Sequence, residues 1–128
     1  MKLKYLMAFV FSFAVFNSYA DCWIVGNLHG MSATKSQSYR YSEDAFSGKI
    51  FHVIADKDHS SVTSSDLNYV GLNRKSVLGT FLEGQGRTVE TWNISDDDTK
   101  VFYTQMRTGF IDDLDGTKSF VGDVIGKC

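Results

Sequence analysis

One short motif in the chain has the spacing of a catalytic site. Ser32-Ala33-Thr34-Lys35 matches the SxxK pattern, in which a lysine one helical turn after a serine accepts the proton of the serine hydroxyl. That chemistry needs the serine at the start of a helix, and further motifs from a larger domain. Here the segment follows a predicted strand, and the chain contains neither a KTG nor an SDN motif. We therefore expect a polar loop at this position and predict that the protein is not an enzyme.

The residues that bind metals in proteins do not form a recognisable set. His29, His52 and His59 show no HxH or HExxH spacing, so a metal site would need them to converge from distant positions. The glutamates Glu43 and Glu83, with Glu90, are scattered and form no evident acid and base couple. We expect neither a metal nor another cofactor.

Acidic side chains cluster at two places in the chain, 96–98 and 112–115. The run Asp112-Asp113-Leu114-Asp115-Gly116 resembles part of a calcium loop, because hard cations prefer several closely spaced oxygen ligands. It departs from the EF-hand pattern, since Ile111 occupies the first ligand position and no glutamate follows at the twelfth. Solvated turns explain both clusters.

The two cysteines lie near the ends of the chain, at Cys22 and Cys128. In an oxidising compartment two such thiols are expected to form a disulfide. A loop of this length is worth roughly 4–5 kcal/mol in the chain-entropy account of disulfide stabilisation. We predict that one disulfide joins the two ends of the folded domain.

The first twenty residues have the composition of a secretory signal peptide. Lys2 and Lys4 precede an uncharged run from Leu6 to Phe16, and Ser18-Tyr19-Ala20 then supplies small residues for cleavage before Asp21. The apolar run is too short to span a membrane. We expect a secreted or periplasmic protein with a single soluble domain over residues 21–128.

The charge of that domain argues against two classes of partner, nucleic acids and anionic membranes. Without Lys2 and Lys4 the chain has 11 basic side chains against 15 acidic ones, a net charge of −4. Nucleic-acid binding needs a basic patch, and an anionic membrane surface would repel such a domain. A protein partner fits this charge better.

Short runs of Val, Ile, Thr, Tyr, Phe and Trp alternate with turn clusters, which predicts an all-β fold. Glu83-Gly84-Gln85-Gly86, Ser95–Thr99 and Asp56–His59 are typical of hairpin turns, so consecutive strands should pair antiparallel. The first and last strands share an apolar opening and glycines four residues apart, and we expect them to pair. The predicted strands are Cys22–Ser32, Tyr39–Ser42, Lys49–Ala55, Ser61–Ser64, Leu67–Leu72, Ser76–Leu82, Thr88–Ile94, Lys100–Thr108 and Lys118–Gly126.

From DCWIVGNLHG to KSFVGDVIGKC, the chain resembles the interleukin-receptor mimic proteins, small exported proteins of pathogenic enterobacteria, in size, export signal and all-β texture. The resemblance implies a β-sandwich similar to fibronectin type III domains, a strand-exchanged homodimer and binding to host cytokines. Two features depart from that sandwich: the chain has no proline, and its ends are expected to be joined by a disulfide. A small up-and-down barrel therefore stays open as the alternative.

Aromatic and arginine side chains in and around loops are the typical anchors of protein interfaces. They favour a protein-binding module, with a periplasmic inhibitor of a host enzyme such as lysozyme as the second interpretation. The third is a small-ligand carrier inside a barrel, whose cavity Phe81, Trp92 and Phe102 could instead fill. The candidate binding residues are Tyr39, Arg40, Tyr41, Phe46, Arg107 and Phe110.

Overall fold

The computed structural model describes residues 20–128, so the predicted signal peptide lies outside the described residues except for Ala20. All of the strands predicted between the two cysteines are present, with ends shifted by a few residues. They are β1 (Ala20–Thr34), β2 (Tyr41–Ala45), β3 (Phe51–Asp56), β4 (Ser61–Val62), β5 (Asn68–Asn73), β6 (Ser76–Glu83), β7 (Gly86–Ile94), β8 (Lys100–Thr108) and β9 (Gly116–Lys127). A short 3₁₀ helix, Lys35–Gln37, follows β1. No helix among residues 20–128 is long and apolar enough to cross a membrane.

The strands form one antiparallel sheet that curls into a nearly closed barrel. Their order is β4-β3-β1-β9-β8-β7-β6-β5, with β2 paired to the second half of β1. β5 through β9 are joined by successive antiparallel pairings, as the turn signals predict. Of the two architectures that the sequence left open, the barrel is the one found, because a single hydrogen-bonded sheet supplies both walls.

Closure of the barrel is incomplete between its two edges. Within residues 20–128, the isolated bridge between Ser60 and Tyr69 connects the β3-β4 side of the sheet to β5. β5 is thus the last strand in the order of the sheet on this side.

β1 is long enough to pair with two successive strands on one side. Its first six residues pair with β3 and its second half pairs with β2, while β9 runs along its other side. Irregular register near Gly26 and Asn27 separates the two halves, and Asn27 takes a left-handed conformation with a φ of 55°. Such a bulge bends the strand, which lets β1 follow the curvature of the barrel.

The core lies inside the barrel, where alternate residues of each strand point inward. On β7 every second residue from Gly86 to Ile94 is buried. Trp23, Trp92, Tyr103 and Phe120 are the largest buried side chains, and aliphatic residues fill the space around them. Phe102 points outward instead, so it does not fill the interior.

A disulfide joins the first and last strands of the folded domain, as the sequence predicts. Cys22 and Cys128 are bonded with a Cα–Cα separation of 5.2 Å. The antiparallel pairing of β1 with β9 brings them together, because Trp23 lies opposite Lys127. The backbone N–H of Cys128 also donates to the carbonyl oxygen of Cys22 at 3.1 Å.

Candidate functional site

One end of the barrel holds a cavity of about 370 Å³ that opens to solvent. Aromatic side chains form much of its wall, and a small number of charged groups converge on it. This volume and this mixture of apolar wall and few polar groups are typical of small-molecule sites. The strands place its residues in successive rows from the core to the mouth.

The inner row centres on a buried carboxylate. Glu90 is only 5% exposed, and the ladder of β5 to β8 puts Tyr69, Gly79, Glu90 and Gln105 side by side. Gly79 is needed in this row because a Cβ there would lie 2.5 Å from the ring of Tyr69. Without a side chain on Gly79, the Tyr69 ring can cross β6 and reach Glu90.

Four side chains donate hydrogen bonds to the Glu90 carboxylate. The Tyr69 hydroxyl and the Trp92 indole N–H, the latter at 2.7 Å, donate to Oε1. The Tyr103 hydroxyl and the Gln105 amide each donate to Oε2 at 3.1 Å. An ionised carboxylate has about four lone-pair positions and only accepts, so this set uses its whole capacity. Charged groups rarely stay buried without such partners.

The two tyrosines of this network hold their protons tightly. Burial, together with the hydrogen bond to Glu90, raises the pKa of Tyr69. Burial and the negative charge of Glu90 also raise the pKa of Tyr103. Both phenols are therefore neutral hydrogen-bond donors and are poorly suited to act as bases.

The outer row carries the guanidinium group of the cavity, that of Arg107. Phe81, Thr88 and Arg107 are cross-strand neighbours one inward-facing position nearer the mouth than Glu90. Arg107 Nε donates to Thr88 Oγ1 at 3.3 Å, and its guanidinium lies 5.7 Å from the ring centre of Phe110. At about 3.4 Å per strand residue, the two rows are separated by roughly 7 Å.

Phe46 closes the opposite side of the cavity. Its ring contacts Phe51, Tyr103 and Phe120 at centroid distances of 5.5, 5.4 and 5.0 Å. The ammonium group of Lys49 lies 6.0 Å from the same ring. The loop between β2 and β3 thus places one apolar group and one cation at the rim.

The 109–115 loop holds Phe110 over the mouth. The backbone N–H groups of Gly109 and Phe110 both donate to the carboxylate of Asp115, at 3.0 and 2.9 Å. Gly109 has a φ of +82°, which favours glycine. Phe110 then stacks near Phe81, with ring centres 6.5 Å apart.

The outside of the barrel presents a second candidate surface, which we call the outer wall. It consists of exposed apolar side chains that lie on adjacent strands β2, β1, β9 and β8. Phe102 is 48% exposed and lies opposite Val121, while Met106 and Tyr41 lie in a row that also crosses β9 and β1. The outer wall comprises Met31, Tyr41, Phe102, Met106 and Val121.

The six binding residues predicted from sequence divide between these regions. Phe46, Arg107 and Phe110 come together at the cavity. Tyr39, Arg40 and Tyr41 do not join them: all three are exposed, and Tyr41 belongs to the outer wall.

The motifs considered for catalysis and metals have structural partners. The polar loop expected at the SxxK segment is wrong, because β1 continues to Thr34 and Ser32 is buried within it. The segment also lacks the helical geometry of that motif. Lys35 pairs with Asp112 at 3.4 Å, and Asp115 binds the loop backbone as described above. Ligand atoms of His52, Cys22 and Cys128 lie within 4.8 Å of one another, but the two sulfurs are bonded to each other.

Glu90 is the residue that sequence reasoning missed. One feature of the sequence could have indicated that Glu90 faces the core: it lies two residues from both Thr88 and Trp92, and so points to the same side of the strand as Trp92. Val89 and Thr91 offered an equally plausible inward face, so the alternation of residue types did not decide the direction.

Comparisons with known proteins add no further constraint on the function. The chain matches no family model, no curated protein and no solved structure. The functional argument therefore depends on the geometry of the cavity and of the outer wall.

Proposed function

We propose that the protein is an exported, non-enzymatic module that binds another protein through its outer wall. The observation that carries this proposal is the set of large apolar side chains exposed on four neighbouring strands. Tyr41 is 66% exposed and lies opposite Ala33, which is buried. A polar residue would suit such an exposed sheet position equally well, so the fold itself does not require an aromatic ring there. A group of exposed apolar side chains on one face of a sheet favours an interaction site on a soluble protein.

The composition of the outer wall supports recognition of a protein. Tyrosine, phenylalanine and methionine are enriched in protein interfaces, and methionine adapts its shape to a partner. Polar neighbours such as Thr104 and Ser119 lie between the apolar side chains and supply hydrogen-bonding groups. Because these residues lie on a hydrogen-bonded sheet, little ordering entropy is lost on binding.

Charge and resemblance together suggest the kind of partner. The net charge of −4 proposed for residues 21–128 would steer a basic protein toward the barrel. The resemblance to interleukin-receptor mimics suggests that this partner is a host cytokine. A basic host enzyme such as lysozyme is the alternative outcome of the same experiment.

Capture experiments with purified, oxidised protein test the proposal. Immobilised protein is expected to retain one member of a panel of cytokines, and Phe102→Ser should weaken retention about tenfold because central aromatic groups carry most of the binding energy. Leu82→Ser is the matched control, since Leu82 is exposed but lies at the end of β6, outside the outer wall. Equal retention by both variants would refute binding through the outer wall. Retention and inhibition of lysozyme would assign the second class of partner.

We also propose self-association through β5, the last strand in the order of the sheet. Val70 and Leu72 are exposed on this strand and give it an apolar surface. A second copy can pack against such a strand or exchange a strand with it. Sedimentation should show a homodimer at micromolar concentration. Val70→Lys is expected to shift it to monomer, and a monomeric parent protein would refute the proposal.

A further inference from the structure

Arg107 is the one guanidinium that lines the cavity, and its charge is not neutralised within the fold. No carboxylate of residues 20–128 lies within ion-pair distance of it. Its side chain makes one protein hydrogen bond in this part of the chain, from Nε to Thr88. Its terminal Nη groups are therefore left to bind something else, and a guanidinium matches the geometry of a carboxylate, sulfonate or phosphate group.

Glu90 does not compete with a ligand for Arg107 and does not offer a site for a ligand cation. All of its acceptor positions are used by Tyr69, Trp92, Tyr103 and Gln105. Its negative charge also disfavours a second anion near the inner row. An anionic group should therefore stay at the Arg107 row, roughly 7 Å nearer the mouth.

Much of the cavity wall suits an apolar body. Trp92, Phe51, Phe46 and Leu67 line the cavity from different strands and loops. Lys49 at the rim is also without a carboxylate partner among the described residues, so two cations lie on the mouth side. Asp66, an exposed carboxylate, also lines the cavity, but the two cations outnumber it. The excess of positive charge favours an anionic group at the mouth, and the aromatic wall favours an apolar body beneath it.

From this arrangement we infer that the barrel binds a small amphipathic anion. The apolar body lies among the aromatic side chains, and a single acidic group lies at the mouth on Arg107, with Lys49 as a second cation. This site is separate from the outer wall, because the cavity residues point inward and the outer-wall residues point outward. Failure of protein capture therefore leaves this inference standing, and the reverse also holds.

A pair of fluorescent probes that differ by one acidic group tests the inference. Anilinonaphthalene sulfonate carries an aromatic body and a sulfonate, and phenylnaphthylamine is the same body without the sulfonate. We expect the sulfonate probe to bind the native protein at one site. Arg107→Gln should weaken that probe about tenfold and change the neutral probe by less than about twofold.

Three variants serve as controls for this result. Arg87→Gln removes an exposed arginine of β7 and should leave the binding of both probes unchanged. Phe102→Ser alters the outer wall, and unchanged probe binding by this variant would exclude binding there. Arg107→Lys keeps the charge but not the fork of Nη donors, so it should recover part of the affinity lost in Arg107→Gln. Near-ultraviolet circular dichroism confirms that each variant is folded, because partly folded proteins also bind the sulfonate probe.

Two results would overturn the inference. One is absence of saturable binding of the sulfonate probe by the folded protein. The other is an equal response of the two probes to Arg107→Gln, which would show that the guanidinium does not bind the acidic group.

Discussion

At the residue scale, the interior of this barrel is organised around one acidic side chain. Glu90 collects hydrogen bonds from three strands, since its donors lie on β5, β7 and β8. A buried charge costs free energy unless every lone pair accepts a hydrogen bond. Removing the Glu90 carboxylate would in turn leave the four surrounding donors without their acceptor. The carboxylate therefore fixes the positions of two tyrosines and a tryptophan in the core.

Glu90→Gln should destabilise the protein by about 3 kcal/mol. The substitution replaces one carboxylate oxygen by an NH2 group, which faces side chains that are themselves hydrogen-bond donors. The measurement is the free energy of unfolding from urea titration, followed by tryptophan fluorescence. Glu83→Gln is the matched control: Glu83 is exposed at the end of β6, and the expected change is below about 0.5 kcal/mol. Similar losses in the two variants would show that the network adds no stability.

The same network predicts a loss of stability in alkali. Burial and the bond to Glu90 raise the pKa of Tyr69 above its ordinary 10.0, so the folded state keeps a proton that the unfolded state releases. This contribution is complete below pH 10 and decreases as the pH rises from there toward the folded pKa. Tyr69→Phe should therefore reduce the alkaline decline of the urea midpoint, and Tyr103, whose pKa is also raised, should account for part of what remains. Tyr39→Phe, at an exposed position, should leave the decline unchanged.

At the element scale, the pairing of β1 with β9 needs glycine where the backbones approach closely. A Cβ on Gly30 would clash with the carbonyl oxygen of Ser119 and lie 2.9 Å from the Cα of Phe120. Gly126, on the same pair of strands, has no heavy atom within 4 Å of such a Cβ. The two glycines look alike in the sequence, but only one is required by packing.

Gly30→Ala should therefore cost about 2 kcal/mol or more, because backbone atoms of β9 cannot move aside as a flexible side chain could. Gly126→Ala should change stability by less than about 0.5 kcal/mol. Thermal and urea unfolding of both variants would measure the difference. Equal effects would mean that the two strands separate easily at Gly30.

The sequence predicted the strands well because each lies between clear turn signals. Ser95–Thr99 connects β7 to β8 as expected, with Asp97 accepting hydrogen bonds from Ser95 and Thr99. The direction of each side chain was harder to predict, since a strand rich in threonine and valine has two plausible faces. Phe102 and Glu90 were both affected: one aromatic residue faces solvent and one acid faces the core.

At the scale of the whole molecule, the disulfide reinforces a pairing that the sheet already makes, because Cys22 lies on β1 and Cys128 follows β9. The seam of the barrel lies elsewhere, between the β3-β4 side and β5, where the described residues form one bridge, Ser60 to Tyr69. The spacing of Cys22 and Cys128 predicted the bond, but the choice between sandwich and barrel was not accessible from local patterns. It depends on long-range pairing, such as that of β1 with β9, which leaves no mark in nearby residues.

Replacing both cysteines by serine should lower the free energy of unfolding by roughly 4 kcal/mol, because the bond closes a loop with a sequence separation of 106 residues. The folded barrel should survive, since ten residue pairs still hold β1 against β9. If the bond acts mainly on the unfolded chain, its loss lets that chain expand, and the slope of unfolding free energy against urea should rise. Parent protein in reductant should give the same curve as the double variant. A loss of stability with an unchanged slope would instead place the effect in the native barrel, and an unchanged midpoint would show that β1 and β9 need no covalent link.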